Sequence, residues 1–344
     1  MKKIKVGLLP LYIKLYDDVG SDKTYTRAFY DRMAGTLKVQ GFDVIKTENC
    51  RIKEEFKAAV NMFEKEGADV IVTLHAAYSP SLESIDALAG TELPIVVLDS
   101  TEAFSLNKFE TPNPISNNHG IHGVMDMCCM LRRNDKAFAI CAGHVEDEKM
   151  WEKLIGYVKA AASAKAFCDS TVGIVGGKFD GMEDFSVPED VFMSRFGIKV
   201  VKSDKDELLK IASEVTDEEI NAEVERELKL GKKISKIEDE AINASAKTNI
   251  VLRKWIESKK LDALTVNFLN VANSGLDTMP FMGACFAMQD GIGYAGEGDT
   301  FTASLVGALL KNYEETSFIE IFCPDWKNGT LFISHMGEMN YRVA

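Results

Sequence analysis

Short β-branched runs alternate with longer stretches of helical periodicity through the first half of this chain, and that alternation leaves few folds open. The runs fall at residues 4–9, 43–46, 70–74, 95–98 and 137–142, and the stretches between the first three predict helices over 26–40 and 54–66. Strand, helix and parallel strand make the unit from which open, doubly wound sheets are built, with ligands at the strand ends. Met150, Trp151, Leu154, Ile155 and Val158 repeat at helical spacing and predict a helix over 146–167 that closes this first region.

A new strand over 171–175 breaks into Gly176-Gly177 and opens a second region, continued by a run at 199–201 and a charge-rich helical stretch over 206–259. Thr216 with Glu219 matches a capping box, and Ser203 with Asp206 fits its looser form. Residues 263–268 then predict a buried strand, and 301–310 an apolar helix behind the N-cap Asp299. Residues 318–322 and 330–334 predict two strands joined by the turn residues Pro324, Asp325, Asn328 and Gly329, a change from βα to ββ rhythm. A chain of 344 residues exceeds what one core organises. The expectation is an α/β protein with two Rossmann-like domains bearing parallel sheets, over 1–168 and 169–315, followed at 316–344 by the start of a C-terminal antiparallel β domain.

Charge narrows the partners. Forty Lys and Arg against 53 Asp and Glu leave a net charge of -13, which speaks against nucleic acid, because affinity for phosphate backbones comes from basic residues. The alternating charges over 206–259 fit a solvated helix face. No run of about 18 apolar residues occurs, and the first apolar stretch is too short for a signal sequence, so no membrane association and a cytoplasmic location are expected. Seven scattered cysteines without a CxxC pair suggest neither a disulfide framework nor a zinc knuckle.

The chemistry-bearing residues are few. Of five histidines, His75 and His144 follow strands, His119 and His122 lie in the Gly/Asn-rich segment Asn117-Asn118-His119-Gly120-Ile121-His122-Gly123, read as a loop, and His335 follows the last strand. Two carboxylates stand out: Glu297 between Gly296 and Gly298, and Glu320 within the apolar run over 318–322. An acid in such a strand is solvated, paired or metal-bound, since burying it alone is prohibitive. In a hairpin His335 comes near Glu320, and two carboxylates with an imidazole suit a divalent ion such as Mn2+. The run from Gly291 to Gly296 formally matches GxGxxG, but the segment before it reads as a helix and Glu297 and Asp299 would repel a pyrophosphate. Val175-Gly176-Gly177-Lys178 lacks the spacing and the Ser/Thr of a Walker A loop.

Three of these segments resemble, in the same order, the metal-site series of the L-arabinose isomerase and L-fucose isomerase-like family: Gly293-Tyr294-Ala295-Gly296-Glu297-Gly298-Asp299, Ser317-Phe318-Ile319-Glu320, and Ser334-His335-Met336. Ordered upstream matches are Leu11-Tyr12, Leu74-His75 through Ser79-Pro80, Asn118 with His119 and His122-Gly123, Asp180-Gly181-Met182, and Phe268. The resemblance implies a ketol isomerase interconverting an aldose and its ketose through an enediol. Its ligands to Mn2+, with Co2+ or Mg2+ as alternatives, would be Glu297, Glu320 and His335, and the two glutamates would be acid and base. It assigns Leu11, Tyr12, His75, His119, His122, Met182, Phe268 and Met336 to a monosaccharide substrate. A homo-oligomer, trimer or hexamer, with the active site at a subunit interface is implied, His119 and His122 reaching the neighbouring subunit's sugar. The family also has a C-terminal β domain that supplies a fourth ligand, a histidine, and no histidine follows His335 here, so a truncated chain is expected. The alternative reading is a non-catalytic sugar-binding protein of similar α/β fold.

Overall fold

In the computed structural model, residues 3–18, 23–106, 114–185, 187–230 and 236–343 are described. They fall into two compact units, Met1–Lys165 and Ala166–Ala344.

The first unit is built on five parallel strands, β1 (Lys5–Leu11), β2 (Asp43–Lys46), β3 (Val70–His75), β4 (Ile95–Asp99) and β5 (Phe138–Ala142), in the order β2-β1-β3-β4-β5. Alternation along β1 decides which side chain meets which layer. Val6 and Leu8 pack on one face with Phe29, Met33 and Trp151, while Leu9 and Leu11 pack on the other with Phe56 and Phe63. Helices therefore cover both faces, and the central strands β1, β3 and β4 are largely apolar, while the edge strand β2 carries Asp43 and Lys46.

The second unit repeats the scheme with β6 (Thr171–Val175), β7 (Lys199–Lys202), β8 (Ala263–Val266) and β9 (Gly293–Gly296), parallel and ordered β7-β6-β8-β9. In both sheets the first strand lies between the second and third, so the winding reverses beside it, where open α/β sheets offer a crevice at the strands' carboxyl ends. An antiparallel hairpin follows, β10 (Glu320–Asp325) and β11 (Thr330–Ser334), with Glu320 opposite Ser334. It leaves apolar side chains exposed, Trp326 at 88% and Ile321, Phe322, Leu331 and Phe332 beside it. The fold class expected from the sequence is the one observed. Among the described residues no helix is long and apolar enough to cross a membrane, and the seven cysteines are free.

Several local expectations hold and several need correction. The Thr216 capping box is reciprocal: Glu219 N–H donates to Thr216 Oγ1 at 3.2 Å, and Thr216 N–H to the Glu219 carboxylate at 3.0 Å. Asp299 caps the helix Thr300–Leu310, accepting from Thr302 N–H at 2.9 Å. The cap near residue 203 is Asp204 instead, accepting from Glu207 N–H at 3.0 Å, because the helix starts at Lys205 and an N-cap reaches the third residue beyond itself. The charge-rich stretch is three helices, Lys205–Ser213, Asp217–Leu230 and Asp239–Lys259, with 231–235 outside the described residues. The segment read as an Asn/His loop is mostly helical: Pro114–Asn118 and Ile121–Arg133 are helices, and His122 sits in the first turn of the second.

Strand β9 was invisible to propensity, since Gly293-Tyr294-Ala295-Gly296 is half glycine. Its glycines answer to packing. A Cβ at Gly293 would lie 2.2 Å from the Ala303 carbonyl oxygen and 2.3 Å from Gly307 N, and one at Gly307 would lie 2.7 Å from the Asp262 carbonyl oxygen, so the helix Thr300–Leu310 rests directly on the strand backbone. Gly173 in β6 is similarly filled, by Trp255 and Leu261. Gly173→Val should thus lower stability by about 1–3 kcal/mol through overpacking, whereas Gly35→Ala, exposed in the helix Lys23–Val39 with nothing within 4 Å, should raise it by about 0.5–1 kcal/mol. Urea unfolding of the two variants, read as midpoint shifts of opposite sign, checks both.

Candidate functional site

Strand β9 delivers Glu297 to the carboxyl edge of the second sheet. Its backbone is left-handed, φ 63°, between Gly296 and Gly298, a conformation a residue with a Cβ adopts at some expense and keeps where a site requires it. The loop is pinned by Glu297 N–H donating to the Val266 carbonyl at 3.0 Å, Phe179 N–H to the Glu297 carbonyl at 2.9 Å, and Gly298 N–H to the buried Thr265 hydroxyl at 2.9 Å. The side chain is thereby aimed by sheet and neighbouring loop together.

The hairpin contributes the other two residues. Register pairs Glu320 with Ser334, so His335 follows next to Glu320, and the His335 Nε2 to Glu320 Oε2 distance is 4.0 Å. The His335 ring is nearly buried, edge-on to Phe318 at 5.0 Å, and comes up against Gly296, where a Cβ would meet its Cε1 at 2.6 Å and its Nε2 at 2.9 Å. Gly296 thus makes room for the imidazole immediately beside Glu297.

Electrostatics ties the three together. Burial raises the Glu297 carboxyl above its ordinary value, the Glu320 charge adds to this, and His335 opposes it. Burial works against charging His335, but Glu338, Glu320 and Glu297 outweigh it and raise the imidazole's pKa. Glu297, Glu320 and His335 therefore share one field. Among the described residues, however, no group of three His, Cys, Asp or Glu side chains is close enough to hold an ion as they stand.

Glu338 and Tyr294 are members of this neighbourhood that sequence reasoning missed. Glu338 Oε1 lies 2.8 Å from His335 Nδ1 and accepts from the Tyr294 hydroxyl at 2.8 Å, with its side chain fully buried. The approach to Nδ1 is bent away from the ring N–H, so charge carries the contact more than a directed bond, and Oε2 has no partner. Burial works against the carboxylate, yet His335 and Tyr294 hold Glu338 below its ordinary value. The available signal was an acid three residues from an imidazole across a glycine, which reads equally well as a solvated turn.

The remaining candidates separate by unit. In the second, Met182 is exposed before a 3-10 turn, Phe268 opens another and lies 5.6 Å from Phe179, and Met336 is exposed after β11. In the first, Leu11 is the wholly buried last residue of β1, within the core. Tyr12, Tyr16, Tyr78, His119 and His122 form a ring cluster. Tyr12 meets Tyr16 at 6.0 Å, His119 stacks on Tyr78 at 6.0 Å and meets His122 at 5.7 Å, and the Tyr16 hydroxyl is 3.2 Å from His119 Nε2. His75 ends β3 under the helix Ile121–Arg133, wholly buried, and burial pushes its pKa down to about 3 against a small opposing pull from Asp126, so it is neutral. Both its ring nitrogens lack partners among the described residues.

Glu297, Glu320 and His335 therefore lie in one neighbourhood beside the carboxyl end of β9 in an open, parallel α/β sheet, the edge at which such sheets usually bind ligands. Comparison with known proteins narrows this. Residues 187–313 match the model of the L-arabinose isomerase central domain. The chain is similar to the L-arabinose isomerase of Pediococcus pentosaceus, 26% identical over 324 residues, covering 88% of this chain and 65% of that protein. It is also similar to that of Enterobacter sp. strain 638, 23% identical over 298 residues, covering 82% and 58%. The chain thus spans about 58–65% of the length of these relatives. A periplasmic solute-binding protein from Actinobacillus succinogenes with bound D-allose aligns with a TM-score of 0.22 and 14% identity, over 96% of this chain and 97% of that one, too low for any argument. The chain is thus similar to L-arabinose isomerases over most of its length, with its central part matching that family's central-domain model.

The His335–Glu338 pair has a stability signature. The lowered Glu338 pKa contributes stability present above about 4.5 and lost as pH falls through its folded value, while the raised His335 pKa contributes stability present below 6.5 and lost as pH rises through its folded value. The stability difference between wild type and Glu338→Gln should therefore peak between 4.5 and 6.5 and shrink on both sides. Chemical unfolding across that range measures it; a pH-independent difference would contradict the pairing.

Proposed function

We propose that this chain carries the proton-transfer and metal site of an aldose–ketose isomerase acting on an L-arabinose- or L-fucose-like monosaccharide. The observation that supports this is the electrostatic coupling of Glu297, which follows β9, to Glu320 and His335, which lie 4.0 Å apart on the hairpin. Its likeness to L-arabinose isomerases supports the reaction class.

The residues fit a divalent ion in chemistry: two carboxylate donors and an imidazole whose Nε2 faces Glu320, with Gly296 leaving room for the ring. Coordinated donors stand about 3 Å apart for bonds of about 2.1 Å, so the 4.0 Å gap calls for a modest rotation of Glu320, whose side chain is 40% exposed. An ion of this kind, Mn2+, Co2+ or Mg2+, supplies Lewis-acid polarisation of the sugar oxygens. Glu297, Glu320 and His335 would hold it, with the fourth position outside this set.

The two glutamates do the proton work. One removes the C2 proton of the aldose and returns it to C1, while the other moves the hydroxyl proton from O2 to O1, which balances aldose against ketose through the enediol. Tyr12, His75, His119, His122, Met182, Phe268, Met336 and the β1 edge at Leu11 are assigned to sugar recognition by the same reading. A homo-oligomer, trimer or hexamer, with the site at a subunit interface, and a cytoplasmic location belong to it too.

Exchange chemistry tests the proposal. Purified chain with Mn2+, Co2+ or Mg2+ should catalyse uptake of solvent deuterium into a sugar of an L-aldose panel, and Glu297→Gln should slow it by about 10²- to 10⁴-fold. No exchange with any sugar, together with unchanged metal affinity in Glu297→Gln, would overturn it. Saturable sugar binding indifferent to chelator would instead identify a non-catalytic sugar-binding protein.

A further inference from the structure

The environment of Glu338 asks for more than a tail anchor. Gly337, at φ 121°, turns the chain back after Met336, which brings Glu338 to the imidazole of a residue only three positions earlier. The turn is fastened from both sides. Met339 N–H donates to the Cys285 thiol sulfur at 3.3 Å, and the buried Asn340 donates to the Glu314 and Thr316 carbonyls at 2.9 and 2.7 Å, while its own N–H donates to the Ser317 hydroxyl at 2.9 Å. Asn340 and the Cys285 contact already fix this segment, so a buried charge is not needed to hold it. A buried carboxylate is expensive unless paired, and one persists here on the far side of the imidazole from Glu320.

An imidazole has two nitrogens, and what one of them bonds decides which atom the other offers. Glu338, ionised, only accepts, and its Oε1 accepts a hydrogen bond from the Tyr294 hydroxyl. A carboxylate oxygen 2.8 Å from Nδ1 repels a lone pair there and attracts an N–H dipole even on a bent approach, so it faces Nδ1 favourably only if Nδ1 bears a hydrogen. Nε2, facing Glu320 at 4.0 Å, is then the bare donor.

We propose that Glu338 is a positioning residue that fixes His335 in its Nδ1–H tautomer and so presents Nε2 toward Glu320 and Glu297. Carboxylate partners of ligating histidines commonly set ring orientation and basicity in this way. The tautomer is a property of the metal-free chain. The consequence for metal affinity rests on the isomerase reading above.

The test has two arms. In 15N-histidine-labelled, chelator-treated protein, above the pH at which the ring loses its charge, two-bond 1H–15N correlation should show His335 protonated at Nδ1 and bare at Nε2. Glu338→Gln should lose that single-tautomer signature. In calorimetry with Mn2+ alone, Glu338→Gln should bind about 10- to 100-fold more weakly than wild type. Should Glu338→Gln fail to fold, Tyr294→Phe keeps the carboxylate and should retain both the tautomer and Mn2+ affinity. An Nε2–H tautomer in wild type overturns the proposal, as does a folded Glu338→Gln chain with undiminished Mn2+ affinity. The expected tautomer in a wild-type chain that binds no Mn2+ overturns the isomerase reading while upholding Glu338's hold on the ring.

Discussion

The contact between Gly293 and Gly307 governs the second unit. With no side chain on either, the helix Thr300–Leu310 settles directly on β9, its N-terminus beginning three residues beyond Glu297. Widening that contact by one methyl group would push helix and strand apart, moving the Asp299 cap, the Gly296 cradle and Glu297 with them. The site is thus a consequence of backbone packing in the core. This explains a strand made of residues with poor strand propensity: the chain spends intrinsic preference there to gain a close approach.

The resulting cluster is electrostatically unbalanced. Glu297, Glu320 and Glu338 surround a single imidazole, and Asp184 adds a further negative influence on Glu297. Like charges so arranged raise each other's proton affinity and favour any cation that enters. Glu338 differs from the others in being wholly buried and paired on the opposite ring nitrogen. It stabilises the imidazole, whereas the part-exposed Glu320 lies toward the ring's other nitrogen and the loop-borne Glu297 acts on both through charge.

Much of the fold was legible because it rests on short-range signals. The β-branched runs at 43–46, 171–175 and 330–334 coincide with strands end for end, and Thr216 and Asp299 cap as their sequence context indicates. The proximity of Glu320 and His335 was also readable, since two runs around a turn pair antiparallel, but β10 runs on through Pro324 and Asp325, which read as turn, with a register shift between Ile321 and Cys323. What escaped depends on tertiary contact. Strand β9 is dictated by a helix that arrives later in the chain, and the helical state of Ile121–Arg133 competes with a Gly/Asn-rich start that reads as loop. Glu338 escaped because its role arises from a turn at Gly337 and from Tyr294, 44 residues upstream. Burial of His75 and Leu11 was equally beyond local pattern, since each ends a strand whose neighbours decide how deep that end lies.

The central claim is that Glu297, Glu320 and His335 hold one divalent ion. Anomalous diffraction at the manganese edge, from crystals grown with Mn2+, addresses it most directly. The account predicts one dominant anomalous peak within bonding distance, about 2.0–2.3 Å, of both carboxylates and of His335 Nε2. A peak bound elsewhere, or through Nδ1 with Glu338 displaced, would contradict it.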